Sequence, residues 1–199
     1  MKFIWNLFWR ELEFKRQVAH LLFGLAYSAT FALGWMTPEI SFVLVVVALG
    51  ASQFVKRRRT FVDKIILLLE RQQQLLDLPL KGLIFFLLGA SLTIWIFEPT
   101  AALAGLLVRS ITDSLGTLYG KYLGVAKIRW NPNKHMEGPI LGGLAAWLAL
   151  MSFLPFPPAL LAAYLGAFID TLPLKIGRFE LDDNLIIPLA AAALVQVMT

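Results

Sequence analysis

The chain has 199 residues, 58% of them apolar and 16% charged, with no cysteine, and a mean hydropathy of +0.71. A soluble domain is about half apolar, so the composition points to a helical membrane protein; disulfides, thiol catalysis and cysteine metal sites are excluded. The net charge of +5 reads as a topology signal, and nucleic acid is not expected as a partner.

In chain order, Lys2, Asn6, Arg10, Glu13 and Gln17 fall on one helical face, with Phe3, Ile4, Trp5, Leu7, Phe8 and Leu12 covering much of the rest. Residues 1–17 therefore predict an interfacial helix with aromatic anchors, too interrupted by charge for a cleaved signal peptide. Seven apolar segments follow, roughly 18–36, 39–55, 80–97, 100–118, 139–154, 158–174 and 185–197, several near the ~20 residues that span a bilayer. Pro38, Pro99, Pro155 and Pro157 mark tight turns between them. The basic connection 56–79 begins with Lys56-Arg57-Arg58-Arg59, which suits the lipid headgroups. A second non-spanning helix is expected over about 61–76, with Thr60 and Asp63 as a capping pair. The predicted fold is all-α: one polytopic domain, 1–199, of about seven transmembrane helices.

Every Lys and Arg except Arg109 falls before the first segment, in the stretch from Lys56 to Lys81, or in the connections after the fourth and sixth segments. The opposite turns carry Glu39 and Glu98 and no cation. The positive-inside rule then places the N-terminus in the cytoplasm and the C-terminus outside.

Ionisable residues within spans are costly and usually mark function. Asp113, Asp170, Asp182, Asp183 and Glu137 all fall toward the cytoplasmic side. Asp113, Gly116, Gly120 and Gly124 recur at spacings of three and four, a helical stripe with a carboxylate at its membrane end that a ligand or a neighbouring helix can approach. The loop 119–138 adds Lys121, Lys127, Arg129 and Lys134. Carboxylates that hold Mg²⁺ through oxygen, cations and bare backbone suit a metal–polyphosphate complex. Each residue also has a structural reading: Asp182 or Asp183 as a helix cap, Asp113 as the partner of Arg109, the glycines as a helix contact, and Glu137 as a first-turn acid. No Walker A sequence or HExxH occurs.

Asp113-x-x-Gly116-x-x-x-Gly120-x-x-x-Gly124, then Lys134-x-x-Glu137-Gly138 and Gly142, resembles the signature of the dolichol kinase/phytol kinase family of integral membrane enzymes. Glu13-Phe14-Lys15-Arg16-Gln17-Val18-Ala19-His20 and Glu180-Leu181-Asp182-Asp183-Asn184-Leu185, with Pro188-Leu189, are similar to that family's flanking motifs. His135 stands where the family often has Ser or Thr. The resemblance implies phosphorylation of a membrane lipid alcohol of the polyprenol or dolichol type by CTP at the cytoplasmic face of a cell or endoplasmic-reticulum membrane. Asp113 with one or both of Asp182 and Asp183 would hold Mg²⁺, with Asp170 ranked behind them. Gly116, Gly120, Lys121, Gly124, Lys127, Arg129, Lys134 and Gly138 would meet the nucleotide. Glu137 would orient Lys134 or the metal, and His20 would accept the alcohol proton. Within the resemblance, diacylglycerol is a second substrate and a phosphatidate cytidylyltransferase-like synthase the runner-up enzyme. The non-enzyme alternative is a small transporter with an ion path through Asp113, Arg109 and Asp170, and a homodimer is left open.

Overall fold

The computed structural model describes residues 2–57, 78–173, 175–176 and 179–199. They form seven α-helices: α1 Lys2–Ala32, α2 Pro38–Arg57, α3 Lys81–Ile96, α4 Pro99–Leu123, α5 Glu137–Leu150, α6 Phe156–Thr171 and α7 Asp183–Met198. Two short antiparallel hairpins interrupt them, β1 Lys127–Ile128 with β2 Asn131–His135 and β3 Lys175–Ile176 with β4 Phe179–Glu180. The fold is all-helical apart from these hairpins, which the sequence reading had taken as loop. The expected helix over 61–76 and most of the basic connection 56–79 lie outside the described residues.

Two boundaries differ from expectation. The interfacial helix and the first apolar segment are one continuous helix, α1, because no proline or glycine occurs from Lys2 to Phe23 to break it. The fourth segment runs on to Leu123 and takes Gly120 and Lys121 into α4, so that the loop expected over 119–138 shrinks to a hairpin between α4 and α5. The prolines act at helix starts: Pro99 opens α4, and Pro155 is the residue before α6, where a fixed φ and a missing N–H cost nothing.

By length and composition, one segment among the described residues, Pro38–Val55 in α2, can cross a bilayer. α3, α5, α6 and α7 are apolar but shorter; the 16 residues of α3 rise about 24 Å against a hydrocarbon core of about 30 Å.

Helix α4 is central and packs against α1, α3, α5, α6 and α7, whereas α2 rests mainly on α3. Close approach is made through small residues. Gly24 of α1 lies against Ser110, Gly105 against Pro188 of α7, Gly166 of α6 against Val108, and Gly142 of α5 against Gly116, where an added Cβ would come within 3.0 Å of backbone. Pro188 sits inside α7 and lacks the N–H that would bond the carbonyl one turn back. That carbonyl, Asn184 O, is the atom on which Gly89 of α3 rests. Tyr27, Ser41 and Ser91 link α1, α2 and α3 by a buried hydroxyl chain, Ser41 to Ser91 at 2.5 Å.

A methyl group at Gly105 would run into the backbone of Pro188, whereas one at Gly50 meets open space. Gly105→Ala should destabilise the purified protein by about 1–3 kcal/mol, the usual cost of overpacking, and Gly50→Ala should leave stability unchanged or raised. Thermal unfolding of the two variants checks this; equal midpoints would refute the close α4–α7 contact.

Candidate functional site

Three helices deliver carboxylates to one point. Asp113 lies past the middle of α4, Asp170 in the last turn of α6 and Asp183 in the first turn of α7. One oxygen from each lies within 4.8 Å of the others. Arg109, only 4% exposed, reaches Asp113 Oδ2 at 3.0 Å and Asp183 Oδ1 at 3.5 Å, and donates to Asn184 Oδ1 at 2.6 Å. The pairing of Arg109 with Asp113 foreseen as a structural alternative is therefore present, and it extends to α7. Lys134 of β2 donates to the carboxylate of Asp170 at 2.7 Å and also to its backbone carbonyl. The second oxygen, Asp170 Oδ1, is buried and has no hydrogen-bond partner among the described residues.

The hairpin that carries Lys134 is held at both sides. Ile128 is buried beside its turn. Trp130 Nε1 donates to Thr171 Oγ1 at 3.2 Å, and Asn131 Nδ2 to Thr171 O at 3.1 Å, which docks the strands on the end of α6. Glu137 Oε1 accepts from Val125 N at 3.0 Å and Ala126 N at 3.1 Å. The backbone N–H groups of Glu137 itself, Ala126 and Val125 hold its carboxyl below the usual glutamate range. Glu137 thus fastens the start of the hairpin, and through it the height of Lys134.

Two cavities flank the carboxylates. The first, about 440 Å³, is bordered by His20, Arg109, Asp113 and Asp183 on one side and by Phe23, Leu80, Leu83 and Phe86 on the other. The second, about 500 Å³, is bordered by polar groups and bare backbone, among them Lys121, Asn131, Asn133, His135, Gly120 and Asp170. Thr117 and Lys134 border both.

Not every candidate from the sequence reaches this place. Lys127 and Arg129, expected to hold phosphates, are exposed, the first on β1 and the second in the turn that follows it, and border neither cavity. Asp182, expected beside Asp183 in the metal set, instead caps α7, its Oδ1 accepting from Asn184 N at 3.1 Å; burial raises its carboxyl above the usual range. It stands outside the carboxylate group, whereas Asp170, ranked lower, is within it. Gly116 and Gly120 pack toward Gly138 of α5, a helix contact, while bordering the second cavity with Gly138. Gly124 lies under His135.

Among the residues not singled out from the sequence, Thr117 was legible as the residue one turn beyond Asp113. Asn131 and Asn133 fall with His135 at the two-residue spacing of a strand, which is legible only if the polar loop is recognised as one.

Since folding depresses the Glu137 carboxyl, its contribution is present above the unfolded glutamate pKa and fades as the pH falls through the lower folded value. Glu137→Ala at neutral pH should raise hydrogen exchange at Val125 and Ala126, with Glu137→Gln intermediate because an amide oxygen still accepts. Unchanged exchange in the alanine variant would deny Glu137 this role. In comparisons with known proteins no family model matches the chain, and neither a curated protein nor a solved structure is significantly similar to it.

Proposed function

We propose that the chain is a CTP-dependent kinase of a membrane lipid alcohol, converting a polyprenol- or dolichol-type alcohol to its monophosphate. The observation that carries the reading is the carboxylate group of Asp113, Asp170 and Asp183 set between one polar cavity and one largely apolar cavity. A phosphoryl transfer from a water-soluble donor to a lipid needs that combination.

An integral membrane setting, with several helices spanning, is supported by the outer faces. On α2, Val43, Val46 and Val47 are each more than half exposed, as expected of residues that face lipid. Trp35 and Trp95 are exposed at the end away from the site, Trp130 and Tyr122 at the site end, in keeping with two interfacial belts. The shorter helices suit a locally thinned bilayer.

The donor set fits Mg²⁺: three carboxylates offer hard oxygen ligands, and Asp170 Oδ1 is a buried atom without a hydrogen-bond partner among the described residues. When bound there, the ion would neutralise phosphate charge as it is displaced. The chain's own residues would do the rest. Lys121, His135 and the asparagines of β2 would hold the nucleotide, with Lys134 at its reacting end. Phe23, Leu80, Leu83 and Phe86 would take the first part of the alcohol's tail, leaving the hydroxyl beside His20. The alcohol oxygen bonds to the terminal phosphorus, its proton passes to His20, and the bond to the β-phosphate oxygen breaks to release CDP.

CTP labelled in its γ-phosphate, incubated with the purified protein, Mg²⁺ and polyprenol, should give labelled lipid and CDP; pyrophosphate release would instead indicate a cytidylyltransferase. Asp113→Asn and Asp183→Asn should each lower the rate at least about 10²-fold, as loss of transition-state charge stabilisation does, while the variants still fold. Near-normal transfer by Asp113→Asn would reduce that residue to a partner of Arg109.

For orientation, single cysteines at Asn133 and at Trp35, in a chain with none of its own, should be labelled from the cytoplasmic and the opposite side respectively. Outward labelling at Asn133 would end the cytoplasmic-site reading.

A further inference from the structure

We infer that Thr117 is a catalytic residue, its hydroxyl donating a hydrogen bond to the phosphoryl group in flight; this rests on the kinase reading above. Two substrates held in separate cavities react where the cavities join. Among the described residues that border the cavities, Thr117 and Lys134 alone border both. The Lys134 ammonium is already engaged by the carboxylate and the carbonyl of Asp170, whereas the Thr117 hydroxyl is not so engaged. Serine and threonine in apolar helices usually return the hydroxyl to the carbonyl one turn back. Ser110 and Thr112 on the same helix do so, to Leu106 O and Val108 O, both at 2.7 Å. Thr117 makes no hydrogen bond among the described residues, so its donor stays available.

Its surroundings on α4 fit the role. Asp113 lies one turn before it, and the neighbouring Gly116 and Gly120 have no side chains to shield it. As the alcohol oxygen closes on phosphorus and the bond to the departing CDP lengthens, negative charge spreads over the phosphoryl oxygens. A neutral donor fixed at that point stabilises the developing charge without attracting the fully charged product as strongly as another cation would. Thr117 keeps its proton throughout, since the alcohol's proton goes to His20.

Thr117→Val retains shape and removes the donor; Thr117→Ser retains the donor. With CTP, Mg²⁺ and a short polyprenol in detergent micelles, the valine variant should lose about 10²–10³-fold in kcat with unchanged KM for CTP and alcohol, and the serine variant should recover most of it. Wild-type kcat in Thr117→Val would overturn the inference alone. So would a loss confined to KM for CTP, which indicates ground-state binding, or labelled phosphate left on the wild-type protein, which indicates a nucleophile. Absence of transfer by the unsubstituted protein would overturn the kinase reading and the inference with it.

Discussion

A guanidinium buried among apolar helices has to be paired, and Arg109 is paired across two helices. It lies 4% exposed between Asp113 on its own helix and Asp183 and Asn184 on α7. Stripping one partner from a buried ion pair typically costs about 3–5 kcal/mol, since the other charge is left without solvent. The start of α7 is therefore tied to the middle of α4, and two carboxylates are held close together that would otherwise repel. Lys134 does the same for Asp170 from the hairpin side. Two cations and three carboxylates leave the cluster one negative charge in excess, in keeping with a further cation among them.

Such a cluster requires helices that come unusually near one another. Glycine supplies this along α4, which meets α1, α5, α6 and α7 at positions where a methyl group on one side would strike the other. Without these contacts Asp170, on α6, would stand a side-chain layer farther from Asp113. On the membrane reading proposed above, where lipid is as apolar as a neighbouring helix, backbone proximity and polar pairing would carry the association. The packing residues and the charged residues are thus parts of one arrangement, and Gly142 of α5, seated on Gly116, serves the site without bordering it.

The division of the site into an apolar and a polar cavity follows from which elements close it. α1, α3 and the residue before α3 contribute Phe23, Leu80, Leu83 and Phe86 to one side; the hairpin contributes Asn131, Asn133 and His135 to the other. α1 reaches both, since Glu13 borders the polar cavity, where it pairs with Lys121 at 3.6 Å, and His20 borders the apolar one. Because α1 runs unbroken from Lys2 to Ala32, a tilt of that helix would change both compartments together.

Much of this was legible in the sequence. Apolar runs bounded by prolines and charges mark seven helices, and the one-sided distribution of Lys and Arg marks which ends lie together. Asp113 stood out as a carboxylate within an apolar run, and Asp183, Lys134 and His20 through the motifs around them. Rank and direction were another matter. Asp170 and Asp182 are both acids beside an apolar run, and the resemblance put Asp182 ahead of Asp170; only the packing of α6 against α4 and α7 brings Asp170 to the cluster, while Asp182 turns back to cap its own helix. Lys127 and Lys134 are both lysines of one polar stretch, and hairpin register alone sends the first outward and the second inward. Thr117 and Lys134 acquire a shared position from the meeting of two cavities, which exists only after six helices and a hairpin have come together. Periodicity and charge act along the chain and so can be read from it. Which side chains face a common point depends on contacts between residues far apart in sequence, and these the tertiary structure decides.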